Sequence, residues 1–245
     1  MEHLAGRWVY TGRYDPSDGH KTMTPGNSNT TAQLVSWLSV AAILAVSAWG
    51  WLQIPGGQNI AVHFDIFGKP DGYAAKPQAL LMLPAVMAGA CAFFWYRMKN
   101  EKFKENLEKS KLTTYIALFG SLVIIFEAQL VIVLTALGHQ IPITTVIFVS
   151  IGLLLGAIGI AMAAGKTARN TCVGVRTPWA LKDDRNWDKT NKMGGALMAA
   201  TGILTACGAL VNTFAAVAIL LLGTLVMTGA TFACSYLWAQ QSDKG

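Results

Sequence analysis

The chain has 245 residues, 53% of them hydrophobic and only 13% charged, with a mean hydropathy of +0.42. Soluble domains carry about 25% charge, so this composition excludes disorder, a coiled coil and a disulfide scaffold. It argues equally against a soluble dehydrogenase, protease or nucleic-acid binder, because the net charge of +6 sits in short stretches between long apolar runs, as in a polytopic membrane protein.

Residues 1–31 are polar, with three basic and three acidic residues and a turn-rich stretch from Thr24 to Asn29. No apolar signal core stands there, so the segment reads as a short cytoplasmic tail. Its Trp8, Tyr10 and Tyr14 would either move freely or touch the interface or a partner. Six apolar runs follow: Ala32–Leu52, Gln78–Tyr96, Leu112–Leu137, Pro142–Ala163, Gly194–Val211 and Phe214–Trp238. Each is close to the about 20 residues that a helix needs to cross a bilayer core. Their apolarity is continuous, and backbone groups in lipid must bond within the segment, so helices are expected rather than a barrel. Only Asn212 and Thr213 separate the last two, which predicts a tight hairpin. With the N-terminus inside, 17 of the 19 lysines and arginines fall in cytoplasmic segments, against Lys69 and Lys76 outside. The expected fold class is therefore an all-α integral membrane protein, a six-helix transmembrane bundle with both termini cytoplasmic. The basic pI then reflects contact with the anionic inner leaflet of the lipid bilayer and no nucleic acid.

The outer loop after the first span reads as an ordered cap. Ile60, Val62 and Phe64 alternate with Ala61, His63 and Asp65, which suits a short strand, and Gly68-Lys69-Pro70-Asp71-Gly72 has strong turn chemistry. His63 and Asp65, two apart on that strand, are expected to point to one side. Three roles stay open: His63 bonding the turn backbone, recognition of a ligand, or a metal site completed by Asp71 or a distant residue.

On the inner side, Glu101 to Glu108 with interspersed lysines reads as a solvated helix extension with local ion pairs. Farther on stands Asn170-Thr171-Cys172-Val173-Gly174-Val175-Arg176-Thr177-Pro178-Trp179-Ala180-Leu181, followed by Trp187, Thr190 and Gly194-Gly195. Thr177 before Pro178 should be extended, and Asp183 and Asp184 suit the first turn of a new helix. An interfacial helix is expected to run from there into the fifth span, with Trp179 and Trp187 at headgroup depth. Arg176 either binds a phosphate, carboxylate or acidic partner with its fork, or snorkels while tied to Asp183 or to loop carbonyls.

The pattern Leu52, Pro55, Ile60, His63-Phe64-Asp65, Gly68, Pro70-Asp71-Gly72-Tyr73 and Lys76 resembles the extracytoplasmic signature of the SdpI family of bacterial multi-pass membrane proteins. The inner stretch resembles the Gly-Ile-Arg-Thr-Pro-Trp motif of the same family, with Trp187 and Thr190 matching its later positions. Two departures stand out: Ala61 replaces a proline, and Asn191 replaces a histidine, so that any protonation role there gives way to an amide that only hydrogen-bonds. The resemblance covers roughly residues 32–238. It implies a place in the bacterial cytoplasmic (inner) membrane and immunity against a secreted peptide toxin, or sensing of it by binding, in some members with capture of a cytoplasmic repressor. His63, Asp65, Asp71 and Lys76 would then face the toxin side. Arg176, Thr177, Trp179 and Trp187 would brace the bundle or recruit a cytoplasmic partner.

Within the spans, Glu127 is the one acid. A carboxylate in lipid is costly unless paired or protonated, so it is either an ion, proton or ligand contact or a neutral packing group bonded to Gln129, Asn212, His139 or backbone. Gly152, Gly156 and Gly159 allow close helix contact, more simply inside the chain than between chains. Cys91, Cys172, Cys207 and Cys234 read as small buried residues, without a disulfide or zinc framework. No hydrolase, nucleotide or cofactor motif appears, so an enzyme is not expected and no cofactor or metal is assigned. The chain divides into a tail (1–31), two helices with the outer loop (32–97), a basic loop (98–111), four helices with the inner loop (112–238) and a tail (239–245). Two alternatives to immunity remain: a small transporter or lipid-handling protein using Glu127 and Arg176, and an accessory subunit among other membrane-complex subunits.

Overall fold

The computed structural model describes residues 26–100, 104–170 and 172–242; Trp8, Tyr10 and Tyr14 lie outside the described residues. The elements follow as α1 (Gly26–Gln53), β1 (Asn59–Phe64), β2 (Pro70–Ala75), α2 (Lys76–Lys99), α3 (Lys104–Lys109), α4 (Lys111–Ala136), α5 (Ile143–Ala163), α6 (Asp184–Val211) and α7 (Thr213–Ser242). All the helices but α3 are long and apolar enough to cross a membrane. The protein is thus a bundle of six membrane helices. Successive helices alternate in direction, so β1, β2, the α4–α5 turn and the α6–α7 turn share one end, the hairpin end. The segment around α3 and the long α5–α6 loop form the other, basic end.

Several bounds differ from expectation. Residues 26–31, read as the end of the tail, are already helical, and Asn29 Oδ1 accepts a hydrogen bond from the Tyr115 hydroxyl (2.7 Å), which ties this first turn to α4. The basic loop holds α3 as a separate short helix, with ion pairs Lys109–Glu105 and Lys111–Glu108. The helix expected to start at Asp183 and Asp184 and run into the fifth span is present as the continuous α6. Asp183 caps it by accepting from the backbone N–H groups of Arg185 and Asn186. The expected tight helical hairpin is present: Asn212 leaves the helix with extended backbone, and its Oδ1 accepts from the N–H of Ala215 in the first turn of α7.

The helices pack in two ways. α1, α2 and α4 meet through large side chains, in one cluster around Ile43, Met87, Cys91 and Leu122 and another around Ile54, Ile60, Leu80, Ile132 and Val133. The second cluster includes β1, whose fully buried Ile60 plugs the hairpin into the bundle end. α5 and α6 meet backbone to backbone. A Cβ placed on Gly159 would lie 2.3 Å from the Ala199 nitrogen, and one on Gly202 would lie 2.4 Å from the Gly156 nitrogen. The α5 glycines therefore serve contact inside the chain, and α7 packs mainly on α6. Cys91 is buried as expected, whereas Cys207 is exposed.

Candidate functional site

The outer loop is a two-stranded antiparallel hairpin, so Pro70-Asp71-Gly72, read from sequence as the end of the turn, opens a second strand. The turn itself is built on Asp65. Its Oδ1 accepts from the N–H groups of Phe67 (2.8 Å) and Lys69 (2.9 Å), and its carbonyl accepts from the Gly68 N–H (2.9 Å). Gly68 takes φ +78°, a conformation that glycine reaches without a Cβ penalty. Asp65 is thereby committed to the turn. The expectation that it shares a face with His63 fails because it lies past the end of β1 and its carboxylate turns into the loop backbone.

His63 is set instead by pairing register. The ladder shifts between Ala61 and His63 and again between His63 and Phe64, which places His63 opposite Gly72. A Cβ on Gly72 would stand 2.8 Å from the His63 Cβ, so only glycine admits this crossing. His63 Nδ1 then meets Asp71 Oδ1 in an exposed pair, with the side chains 73% and 48% accessible. His63 of this pair, together with Asp65, lines a cleft of about 290 Å³ between Val62–Ile66 and the start of α5, walled by Ile143, Ile147 and Phe148. The cleft thus sets polar side chains beside apolar surface. Among the described residues no group of three or more His, Cys, Asp or Glu is placed to hold a metal ion. Lys76 ties the base of the hairpin: its Nζ donates to the Ile54 carbonyl (2.5 Å) and stands 5.0 Å from the Trp51 ring centroid.

At the basic end the α5–α6 loop is held by buried polar side chains. Asn170, fully buried, donates to Ser110 Oγ and the Ala168 carbonyl and accepts from the N–H groups of Cys172 and Val173. Thr113 donates to the Lys166 carbonyl, and Asn106 to that of Arg169. Asn191 clasps one residue from both sides, accepting from the Val175 N–H (2.8 Å) and donating to its carbonyl (3.3 Å). An amide carries a donor and an acceptor on the same edge, which this contact requires. Gly174 makes room for it, at φ +119° and with any Cβ only 2.6 Å from Asn191 Oδ1.

The two tryptophans part company. Trp187 is 2% exposed and donates its Nε1–H to the Thr167 carbonyl, so it is a core residue of the loop and not an interfacial anchor. Gly174 and Asn191 pull the loop over its ring, which the sequence reading overlooked. Trp179 packs edge-on against Phe232 and at a tilt on Tyr236 of α7, both with centroids 5.1 Å away. Thr177 is buried and shares a hydrogen bond with Ser235 (2.6 Å), which itself donates to Asn186. Arg169 reaches the aspartates, its Nε 2.7 Å from Asp184, while the Asp183 carboxylate is occupied in capping α6. Arg176 is exposed and lines a groove with Arg97 of α2.

The sequence-derived candidates thus form two groups at opposite ends, separated by the length of α4, about 39 Å for its 26 residues. Glu127 lies between them on α4 and joins neither. Its Oε2 is buried with no hydrogen-bond partner, so Gln129, Asn212 and His139 do not reach that oxygen. Gln129 sits two residues on, on the opposite side of the helix, fully buried with its own amide unpartnered. Ser110, Asn186 and Ser235 were missed in the sequence. Ser110, just before α4, and Ser235, inside α7, are small polar residues with no local signal, and their partners include residues remote in the chain.

Comparison with known proteins follows the same division. Residues 166–236, the inner loop with α6 and most of α7, match the SdpI/YfhL protein family, and residues 38–88, spanning the hairpin, match a domain of unknown function (DUF1648). The Immunity protein SdpI of Bacillus subtilis (strain 168) is 26% identical over 138 residues, 56% of this chain. The match spans 63% of that protein's own length. No solved structure matches the chain. The two matches fall in order along the chain, and the inner motif lies inside residues 166–236, so over that stretch this multi-pass membrane protein is similar to the SdpI family.

Proposed function

We propose that the protein gives immunity to a secreted bacterial peptide toxin by binding it at the hairpin end, with that end outside the cytoplasmic membrane and both termini inside. The observation that carries this reading is the anchored hairpin: Ile60 plugs it into the bundle, Asp65 and Gly68 fix its turn, and the His63–Asp71 pair stands exposed beside an apolar cleft. A peptide needs both polar holds and apolar contact, and a surface already ordered loses little entropy on binding. Likeness to a protein named for immunity supports the same reading. The charge asymmetry supports the orientation, since Lys69 and Lys76 are the sparse basic residues of the hairpin end. The mechanism is binding without a chemical step, with the inner loop bracing the bundle.

The test is a toxin challenge. Bacillus subtilis cells lacking their own SdpI would produce this chain and meet culture medium from toxin-secreting strains. Survival is expected with the unaltered chain, with at least a tenfold loss in His63→Ala/Asp71→Ala at equal membrane content. Cells that die despite folded, membrane-inserted protein would overturn the reading. Orientation is read separately: in Lys69→Cys cells, a membrane-impermeant thiol reagent should label from outside.

A further inference from the structure

We infer that the groove between α4 and α5 takes an apolar, membrane-inserted helix of the toxin peptide, held inside the bilayer by a hydrogen bond to Glu127. This deepens the binding proposed above and rests on it. Ile143 and Ile147 wall the hairpin cleft, and Ser150, Leu154 and Ala157 wall a second groove of about 730 Å³. Their spacings of four, three, four and three put all five on one face of α5. The cleft and the groove therefore follow one line along the helix, for about 21 Å. Gly120 forms the floor on the α4 side: a Cβ there would lie 2.3 Å from Leu154 Cδ1, so the two helices touch at that point. Val123 and Leu153, both exposed, form the banks.

Glu127 interrupts this apolar line. It follows Val123 and Ile124 by four and three residues, on the face of α4 that lines the groove. Counted antiparallel from the Gly120–Leu154 contact, it stands level with Ile147, between groove and cleft. That level is about 14 Å inside the hairpin end of α4. Its Oε2 is buried and has no hydrogen-bond partner, a costly state at membrane depth. An acyl chain fits the walls but carries no donor at this depth, and phospholipid headgroups stay at the membrane surface. A peptide helix meets both demands. Its backbone groups bond internally, its apolar face lies between Val123 and Leu153, and one hydroxyl, amide or ammonium on it donates to Glu127. The hairpin cleft then receives the outer end of the same peptide.

The experiment uses the full chain in the toxin-challenge cells, with benzoylphenylalanine placed at Val123 or Leu153 in the groove, at Tyr73 on the hairpin or at Leu225 on α7, all exposed positions. Cells meet medium from the toxin-secreting strain, or from a strain that secretes none, and are irradiated. Adducts with the peptide found only in the killing medium are expected at Val123 and Leu153 and not at Leu225. Glu127→Leu should lower both groove adduct and survival roughly tenfold at equal membrane content, whereas Glu127→Gln, which keeps an acceptor oxygen, should stay within about threefold. Ala157→Phe, which fills the groove from an exposed position and leaves Glu127, should lower both as well. Survival with adducts at Tyr73 and none in the groove would overturn this inference and leave binding at the hairpin standing. So would lipid adducts alone at Val123 and Leu153, or full survival in both Glu127→Leu and Ala157→Phe. Cells that die with the unaltered chain in their membrane would overturn both readings.

Discussion

The two halves of the bundle solve the same problem by opposite means. In lipid, apolar character gives helices no reason to prefer each other over acyl chains, so association rests on fit. α1, α2 and α4 achieve fit with bulk, interlocking Ile43, Met87, Leu80 and Val133. α5 and α6 achieve it by removing bulk, so that Gly159 meets the Ala199 backbone and Gly202 meets that of Gly156. The first kind of interface can repack around a changed side chain; the second has no side chain to move. The difference also matches position: the bulky half carries the hairpin, and the closely packed half carries the inner loop, whose polar clasps need helices held at short range.

That contrast can be broken at four places. The largest effect is expected for Gly159→Val, which drives carbon into the backbone of α6 and should cost about 3 kcal/mol or more. Detergent titration of the folded fraction measures it, and a cost below about 1 kcal/mol would mean that α5 and α6 separate easily. Met87→Ala in the bulky half leaves a cavity at a fully buried site and should cost about 2–4 kcal/mol. Met87→Leu keeps the volume and should stay within about 1.5 kcal/mol, the tolerance that the glycine interface lacks.

Asn191→Ala strips the Val175 N–H and carbonyl of their buried partner and should cost about 2 kcal/mol. Limited proteolysis would then cut first between Cys172 and Trp179. The smallest effect is expected for Gly72→Ala, about 1 kcal/mol, because His63 must shift while the helices stay in place. Faster hydrogen exchange confined to β1 and β2 checks it, and exchange spreading into α4 would show that the hairpin holds the bundle more than the bundle holds the hairpin.

Parts of this were legible in advance. The six spans follow from composition, the helix start at Asp183 from its capping chemistry, and the α5 contact face from Gly152, Gly156 and Gly159. The hairpin was half legible: Ile60 to Phe64 alternate as a strand does, but Pro70-Asp71-Gly72 has turn chemistry and becomes strand only through pairing. The register then joins His63 to Asp71 and leaves Asp65 in the turn, a choice made by two ladder shifts and one missing Cβ. Trp187 reads as an interfacial anchor until Gly174 is seen to close over its ring. Arg97 is one basic residue among those at the inner end of the second span until it shares a groove with Arg176.

Whether a segment enters the membrane depends on a sum over its own residues, so the sequence by itself determined the number of helices, their approximate limits and the sidedness expected from 17 basic residues against two. Which residues meet depends on helix rotation, depth and strand register, each set by shape between segments far apart in the chain. Only the tertiary structure could decide that His63 answers Asp71, that an asparagine clasps Val175, and that two arginines border one apolar groove.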